Sequence, residues 1–199
     1  MPQIKQAFSV NHPRSIVWEQ LQDLPGMAEC LPGASLTGVP SANHADGRMT
    51  VKLGPVRAEF TGAVDIEADE GNYRGKIVGT GMDKSHGSRA KGEIVYTLEE
   101  AANGAATKVS VLVDYMLAGS LAQFARGGIV DAVADQICRD FATNLETRMN
   151  AESRQAAEPA QEANSPARVE VPRKASELNA LGLIMAILRR KMASLVGRA

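Results

Sequence analysis

Small or apolar side chains alternate with mostly polar ones from residue 56 to residue 67. One set comprises Val56, Ala58, Phe60, Gly62, Val64 and Ile66, and the other comprises Arg57, Glu59, Thr61, Ala63, Asp65 and Glu67. This period of two predicts a β-strand with one buried face and one solvated face, which is typical of an antiparallel sheet.

The same alternation predicts further strands around this one. They cover residues 4–10, 49–53, 73–81, 93–99 and 109–117. A short helix is expected after Pro13, with a break at Pro25-Gly26, because proline suits a first helical turn and disrupts a later one. Turn residues at 101–104 join two strands directly, which favours a meander over parallel crossovers.

The hydrophobic period changes to that of a helix between residues 121 and 149. Its apolar stripe consists of Val130, Val133, Ala134, Ile137, Phe141 and Leu145. A run of strands followed by one long helix predicts an α+β fold, in which a curved antiparallel sheet wraps around the C-terminal helix. We assign this domain to residues 1–150.

Two further segments follow the predicted domain. Residues 151–175 are rich in Ala, Glu, Gln, Ser and Pro and are predicted to be a flexible linker. Residues 176–199 are predicted to form an amphipathic helix. Its apolar and basic residues include Leu181, Ile184, Met185, Leu188, Arg189, Arg190, Lys191, Met192 and Leu195.

Charge is distributed unevenly between these parts. Lys and Arg outnumber Asp and Glu by seven to two in residues 168–199, so the chain's net charge of −1 leaves −6 on residues 1–167. The last helix could pack on the domain, dock on a partner protein or lie on an anionic membrane. The third interpretation is favoured because apolar bulk and unopposed cations occur together.

The sequence shows no constellation of catalytic or metal-binding residues. His12, His44 and His86 are far apart, and Cys30 and Cys138 lack the spacing of metal ligands. Nucleic-acid binding is not expected either, because the body is acidic and its aromatic residues are not interleaved with basic ones. The N-terminus has no recognisable secretion signal, and no apolar run is long enough to span a bilayer, so a cytoplasmic protein is expected.

Glycines along one face of the strand at 73–81 indicate a ligand cavity. Gly75, Gly79 and Gly81 share that face with Tyr73 and Ile77. Either another group approaches these glycines closely, or they leave the sheet's concavity unfilled. The second alternative predicts an apolar cavity with a few hydroxyl groups. Its candidate lining residues are Phe60, Gly62, Ile77, Gly79, Tyr96, Val111, Val113, Tyr115, Val133, Ile137 and Phe141.

Several motifs resemble the family of the carbon monoxide dehydrogenase G subunit, within the START-like (SRPBCC) helix-grip superfamily. They are Pro13 with Val17-Trp18, Cys30-Leu31-Pro32-Gly33, Leu53-Gly54-Pro55-Val56, Phe60-Thr61-Gly62 and Gly119-Ser120-Leu121-Ala122. The resemblance covers about residues 1–150.

The resemblance implies a seven-stranded sheet that grips a long helix, and an accessory role beside a molybdenum hydroxylase of the xanthine oxidase type. It also implies recruitment of that enzyme to the inner face of the cytoplasmic membrane. The cavity would hold a quinone, either menaquinone or ubiquinone, and no covalent cofactor, metal site or catalytic residue is implied. A lipid carrier, or a cyclase or hydrolase that uses the polar groups of Tyr96, Tyr115 and Arg89, remains the alternative.

Overall fold

A computed structural model describes residues 2–125 and 128–157 of the chain. In this part, one antiparallel sheet has the strand order β1-β7-β6-β5-β4-β3-β2. The strands are β1 (Gln3–Val10), β2 (Ala34–Leu36), β3 (His44–Leu53), β4 (Val56–Asp69), β5 (Arg74–Asp83), β6 (Ser88–Ala101) and β7 (Ala106–Ala118). The helices are α1 (Arg14–Gln22), α2 (Leu24–Cys30) and α3 (Ile129–Ala157). The α+β prediction is confirmed.

Aromatic contacts show which face of the sheet is the inner one. Trp18 of α1 packs on Tyr73 and Tyr96, with ring centroids 5.7 and 6.1 Å apart. Phe141 of α3 packs edge-on against Phe8 of β1 at 5.8 Å. Helices α1 and α3 therefore cover the same face, and alternate residues of each strand point away from them.

The first helix is interrupted as predicted, but earlier than expected: α1 ends at Gln22, and Pro25 and Gly26 lie in the first turn of α2. Proline is tolerated there since its missing N–H group would have no partner within the helix. Gly26 leaves room for a side chain of α3. A Cβ atom at this position would lie 1.1 Å from Nη1 of Arg148, whose guanidinium group lies against the helix.

The long helix is displaced from its predicted bounds. Residues 120–125 form a 3-10 turn, and α3 begins only at Ile129, after Gly128 with its positive φ of 76°. At its other end α3 continues to Ala157, so residues 151–157 are helical although they were predicted to begin the linker. The rest of the predicted linker and the predicted helix at 176–199 lie outside the described residues.

Polar contacts join α2 to α3. Arg148 forms ion pairs with Asp23 and with Glu152, whose Oε1 lies 2.9 Å from its Nε. The hydrogen bond to Asp23 has the largest effect on the pKa of Arg148, and the hydrogen bond to Glu152 has the next largest. Both raise this pKa above its ordinary value, although partial burial acts to lower it. Asn144 donates a hydrogen bond of 3.0 Å to the carbonyl oxygen of Cys30. These contacts hold the segment after α2 close to the long helix.

Gly33 ends that segment in a conformation that other residues rarely adopt. Its φ is +80°, and an added Cβ would lie 2.2 Å from the carbonyl oxygen of Thr50. The Thr50 N–H group donates a 2.8 Å hydrogen bond to the Gly33 carbonyl, so the two backbones cannot separate without losing this bond. The glycine of the Cys-Leu-Pro-Gly motif is therefore required by both conformation and space.

Gly33→Ala should lower the free energy of unfolding by about 2 kcal/mol or more, because left-handed strain of about 1–2 kcal/mol adds to a backbone clash. Gly54→Ala isolates the strain, since φ is +62° at Gly54 and no atom lies within 4 Å of the added Cβ. Gly38→Ala, where φ is not positive and space is open, should have little effect. Urea unfolding measures all three variants, and equal losses for Gly33 and Gly38 would contradict the explanation.

A buried carboxylate organises the turn between β5 and β6. Asp83 is 1% exposed and accepts hydrogen bonds from the backbone N–H groups of Glu59 at 3.1 Å and His86 at 3.0 Å. The His86 Nδ1 atom lies 2.8 Å from the same carboxylate. The fully buried Ser88 accepts a 3.0 Å bond from the N–H group of Leu121 in the 3-10 turn. This network joins the β5–β6 hairpin to the segment before α3.

Burial raises the pKa of Asp83, but the hydrogen bonds from His86 and Glu59 outweigh it, so the net pKa is lowered. A lowered carboxyl pKa stabilises the fold above the unfolded value of about 4, and this contribution disappears as pH falls through the folded value.

Asp83→Asn should therefore cost about 1–3 kcal/mol at pH 7, and the difference from wild type should narrow below about pH 4. Urea unfolding between pH 7 and pH 3.5 checks this. Glu67→Gln is the control, because Glu67 is exposed. A difference that stays constant across the pH range would count against the ionised carboxylate as its source.

Candidate functional site

The apolar interior consists of two separate clusters. The first, here the proximal core, lies beneath α1 and the C-terminal half of α3. Its buried members are Val10, Val17, Trp18, Leu21, Cys30, Tyr96, Leu98, Val109, Phe141, Leu145 and Met149. The second, here the distal core, is smaller and lies around the 3-10 turn and the start of α3. Its buried members are Leu53, Ala58 and Leu121, against which Phe60 and Val133 also pack.

A belt of very small residues crosses the inner face between these cores. Gly47, Gly62, Gly81 and Ala90 lie in register on neighbouring strands β3 to β6. Gly79 and Gly92 face each other in the next inner row, in which Gly92 also pairs with Tyr115. We call Gly47, Gly62, Gly79, Gly81, Ala90 and Gly92 the small-residue belt. Larger buried side chains lie on either side of the belt, in the proximal core and in the distal core.

The two explanations for the glycines apply at different positions. A Cβ would lie 2.1 Å from the Tyr96 ring at Gly75, 3.2 Å from Cγ1 of Val64 at Gly79 and 3.1 Å from Cβ of Phe60 at Gly81, so close approach explains all three glycines of the predicted strand. It also explains Gly62, where a Cβ would lie 1.9 Å from the Thr80 carbonyl oxygen. At Gly92 the nearest atom is the Asp114 carbonyl oxygen at 3.8 Å. Open space is therefore the explanation at Gly92.

Inner-face residues beside the belt are only half-buried. This holds for Val64, Ile94, Val113 and Tyr115, although they lie in the middle of the sheet. Apolar side chains at such positions are normally covered. Their partial exposure, together with the two separate cores, indicates unfilled space between the sheet and α3.

A pocket of about 300 Å³ opens beside this space, between α3 and the edge of β3. Its residues combine aliphatic and polar side chains. They are Pro32, Gly33, Thr50, Val51, Lys52, Val133, Gln136, Ile137 and Asp140. The volume lies at the lower end of the range for small-molecule pockets. Pro32 and Gly33 of the Cys-Leu-Pro-Gly motif form part of its wall, so the strained turn at Gly33 also shapes this pocket.

The predicted cavity residues all belong to the inner face or to α3, but they occupy different surroundings. Tyr96 and Phe141 are buried within the proximal core, and Ile77 and Val111 pack against it. Phe60 packs against the distal core, whereas Gly62 and Gly79 belong to the belt. Val113 and Tyr115 lie between the cores, and the pocket contains Val133 and Ile137. Their role as ligand contacts stays a prediction.

The tyrosines supply hydroxyl groups to this interior. Burial raises the pKa of Tyr96, although a hydrogen bond with Gln22 opposes the shift. Burial raises the pKa of Tyr115 too, and the nearby negative charge of Asp131 adds to the effect. Both hydroxyls therefore stay protonated near neutral pH and can donate hydrogen bonds.

The three polar groups considered for catalysis do not converge. Tyr96 lies under α1 against Gly75, and Tyr115 is close to the start of α3. Arg89 is exposed on β6, where alternation places it on the outer face, one residue before the inner-facing Ala90. It therefore cannot act with the tyrosines, because general acid–base catalysis needs groups within hydrogen-bond reach of one substrate.

Residues 2–125 and 128–157 contain no cluster of three or more His, Cys, Asp or Glu side chains suited to a metal ion. No helix among them is both long enough and apolar enough to cross a membrane. The residues proposed for membrane contact, from Leu181 to Leu195, lie outside the described part of the chain.

The polar residues of the pocket were not predicted from the sequence. Gln136 and Asp140 of α3 line the pocket together with Val133 and Ile137. Thr50 and Lys52 belong to β3 beyond its pairing with the short β2. The available signal was the Cys-Leu-Pro-Gly motif, whose glycine implies a close backbone approach somewhere in the fold.

Solved structures share this architecture. A conserved protein from Geobacillus kaustophilus aligns with a TM-score of 0.65 and 16% identity, covering 75% of this chain and 96% of its own. A Thermus thermophilus protein aligns with a TM-score of 0.57 and 15% identity, covering 76% of this chain and 99% of its own. The Zhui aromatase/cyclase of Streptomyces sp. R1128 aligns with a TM-score of 0.54 and 16% identity, covering 78% of this chain and 97% of its own. At these identities the likeness establishes the fold alone, which is the START-like helix-grip fold.

No curated protein sequence matches the chain. The family model for the carbon monoxide dehydrogenase G subunit (CoxG) matches residues 7–150, which include the sheet except the start of β1, the belt and most of α3. The resemblance found in the sequence motifs is thereby confirmed, and this chain belongs to the CoxG family, that of the carbon monoxide dehydrogenase G subunit.

Proposed function

We propose that this chain is a non-enzymatic accessory protein that binds a hydrophobic small molecule between α3 and the sheet. The ligand is a quinone, either menaquinone or ubiquinone. The domain docks on a molybdenum hydroxylase of the xanthine oxidase type, and the C-terminal segment holds the assembly at the inner face of the cytoplasmic membrane. Electrons then pass from the hydroxylase to the membrane quinone pool.

The observation that carries the ligand-binding part is the division of the interior into two cores separated by the small-residue belt. Protein interiors are normally packed to the density of organic crystals, and unfilled apolar space costs stability. An apolar ligand would recover that lost packing. The open position at Gly92, next to the half-buried Tyr115, is where the available space and a hydroxyl donor come together.

The chemistry of the site agrees better with binding than with catalysis. Quinone carbonyls accept hydrogen bonds, and Tyr115 is protonated and can donate one. A hydrolase or cyclase would need an acid and a base near one substrate, and Tyr96, Tyr115 and Arg89 do not provide this pair. The family description supports an association with carbon monoxide dehydrogenase, whose electrons require an acceptor.

Gly92→Phe should fill the belt and raise the dissociation constant for 2,3-dimethyl-1,4-naphthoquinone at least about tenfold in equilibrium dialysis, equivalent to about 1.4 kcal/mol. Gly92→Ala is the matched control and should bind as wild type does, since its methyl group meets only the Asp114 carbonyl oxygen. Thermal unfolding checks that both variants fold.

Solvent extraction of the purified wild-type protein, followed by mass spectrometry, identifies the natural occupant. Recovery of a quinone supports the proposal, whereas recovery of a phospholipid favours a lipid carrier. Equal naphthoquinone binding by Gly92→Phe and wild type would contradict the belt as the ligand site.

The membrane role is tested separately with vesicles that contain phosphatidylglycerol. The full chain should co-sediment with them, and a form ending at Pro159 should not, because residues 1–159 form one compact unit without the basic segment. Binding should weaken as salt rises, since the attraction is partly electrostatic. Equal sedimentation of the two forms would refute the anchoring role.

A further inference from the structure

The outer face of the sheet carries exposed apolar side chains at the strand ends next to the β5–β6 turn. Met82 of β5 is 41% exposed and Met116 of β7 is 50% exposed. Helices α1 and α3 pack on the inner face and leave these methionines uncovered. Single exposed apolar residues are common on protein surfaces, so the methionines become informative only through what surrounds them.

Two cations lie between the methionines. Met82 pairs with Arg89 across β5 and β6, and Lys91 pairs with Met116 across β6 and β7. Thr80 pairs with Lys91 on one side and with Ala63 on the other. We call Ala63, Thr80, Met82, Arg89, Lys91 and Met116 the outer patch. It is a contiguous area on β5, β6, β7 and part of β4, and the acidic residues Glu93 and Asp114 lie in the next outer row beside Lys91 and Met116.

The cations of the outer patch are not neutralised by neighbours. Within residues 2–125 and 128–157, neither Arg89 nor Lys91 has a carboxylate oxygen within 4 Å of its side-chain nitrogen atoms. Some other cations on this face have partners: Arg48 is 3.5 Å from Glu59, Lys76 is 3.2 Å from Glu93, and Lys108 is 3.7 Å from Glu99. Within the described residues, the outer-face cations Lys5, Lys52, Arg57 and Arg74 lack such a partner, as Arg89 and Lys91 do.

The location of this positive area is unusual for this chain. Residues 1–167 carry a net charge of −6, so the outer patch is a cationic area on an acidic body. Such an area attracts an acidic surface by charge complementarity, which speeds association and sets orientation. Methionine side chains adapt to irregular partner surfaces, and arginine is enriched at the centres of protein interfaces.

A membrane fits the outer patch less well than a protein does. The methionines lie within the sheet, flanked by the longer Arg89 and Lys91, and do not project from a loop or an amphipathic helix. The acidic remainder of the body is repelled by an anionic leaflet. A protein surface with acidic groups around a shallow apolar area matches both features.

We propose that the outer patch docks an acidic surface of the partner protein. This inference rests on the proposed function, in which the partner is the molybdenum hydroxylase. Arg89 and Lys91 pair with its carboxylates, and Met82 and Met116 pack between those pairs. The ligand site and the docking surface then lie on opposite faces of the same three strands, so partner docking leaves the inner face free.

The test is biolayer interferometry of the full chain with the purified carbon monoxide dehydrogenase-type hydroxylase of the same cell, at 50 and 300 mM NaCl. Arg89→Glu combined with Lys91→Glu should weaken binding at least about tenfold at low salt and reduce its salt dependence. Met82→Ser combined with Met116→Ser should weaken binding but keep the salt dependence.

The matched control is Lys5→Glu combined with Arg74→Glu. These two exposed cations lie on the outer face but outside the patch, and the double reversal changes the net charge by the same amount. The control should bind within about twofold of wild type, because distant surface charges are largely screened. Circular dichroism and thermal unfolding verify that every variant folds.

The outcomes separate the two proposals. If the hydroxylase binds wild type and the Arg89/Lys91 reversal equally well, the outer patch is not the docking surface, while the proposed function stands. If the hydroxylase binds no variant, including wild type, both proposals fail. If the Arg89/Lys91 reversal abolishes binding to phosphatidylglycerol vesicles but not to the hydroxylase, the patch faces a membrane and the inference is overturned.

Discussion

The packing of the C-terminal half of α3 on the proximal core is the interaction on which the rest of the structure depends. Phe141, Leu145 and Met149 are buried on one stripe of the helix, and Phe141 contacts Phe8 of the edge strand β1. Their bulk sets the distance between helix and sheet. At the other end of the sheet, the distal core sets this distance again around Leu121. We expect a helix supported at both ends to stay clear of the glycines between them, and the proposed ligand space over the belt rests on this expectation.

Strand alternation gives the sheet two independent surfaces. Gly92 of β6 belongs to the belt, whereas its neighbour Lys91 belongs to the outer patch. A shift of one residue in strand register would exchange the two surfaces, so both depend on the same hairpins. The Asp83 network helps to keep that register, because it joins the β5–β6 turn to the 3-10 turn through Ser88 and Leu121.

Much of the fold could be predicted because alternation and helical periodicity are local properties. The strands around residues 56–67 and 93–99 and the long helix were recognised from their own residues. Errors occurred where a contact between residues far apart in sequence determines the local structure. The end of the first helix was placed at Pro25-Gly26, but α1 ends at Gln22, and both residues lie in α2, where Arg148 occupies the space beside Gly26. The start of α3 was placed too early, because residues 121–125 have helical periodicity yet belong to the distal core and the Ser88 network.

The candidate site was predicted less completely than the fold. The shared inner face of Gly79, Val113 and Tyr115 followed from counting every second residue. The roles of individual glycines did not, because the sequence contains no information on which atom lies opposite each one. Tyr96 occupies the space at Gly75, whereas Gly92 has open space, and only strand register distinguishes them. Strand pairing also placed Arg89 on the outer face, whereas Tyr96 and Tyr115, the other two candidates for catalysis, lie on the inner face.

By itself, the sequence determined the class of fold, the family, the division of charge between body and tail, and the set of residues that can face inward. These depend on residue type and spacing along the chain. Tertiary structure decided which inward positions are packed and which are open, and which cations have partners. Such properties depend on distances between residues far apart in sequence, and these distances exist only once the strands are in register and α3 is in place.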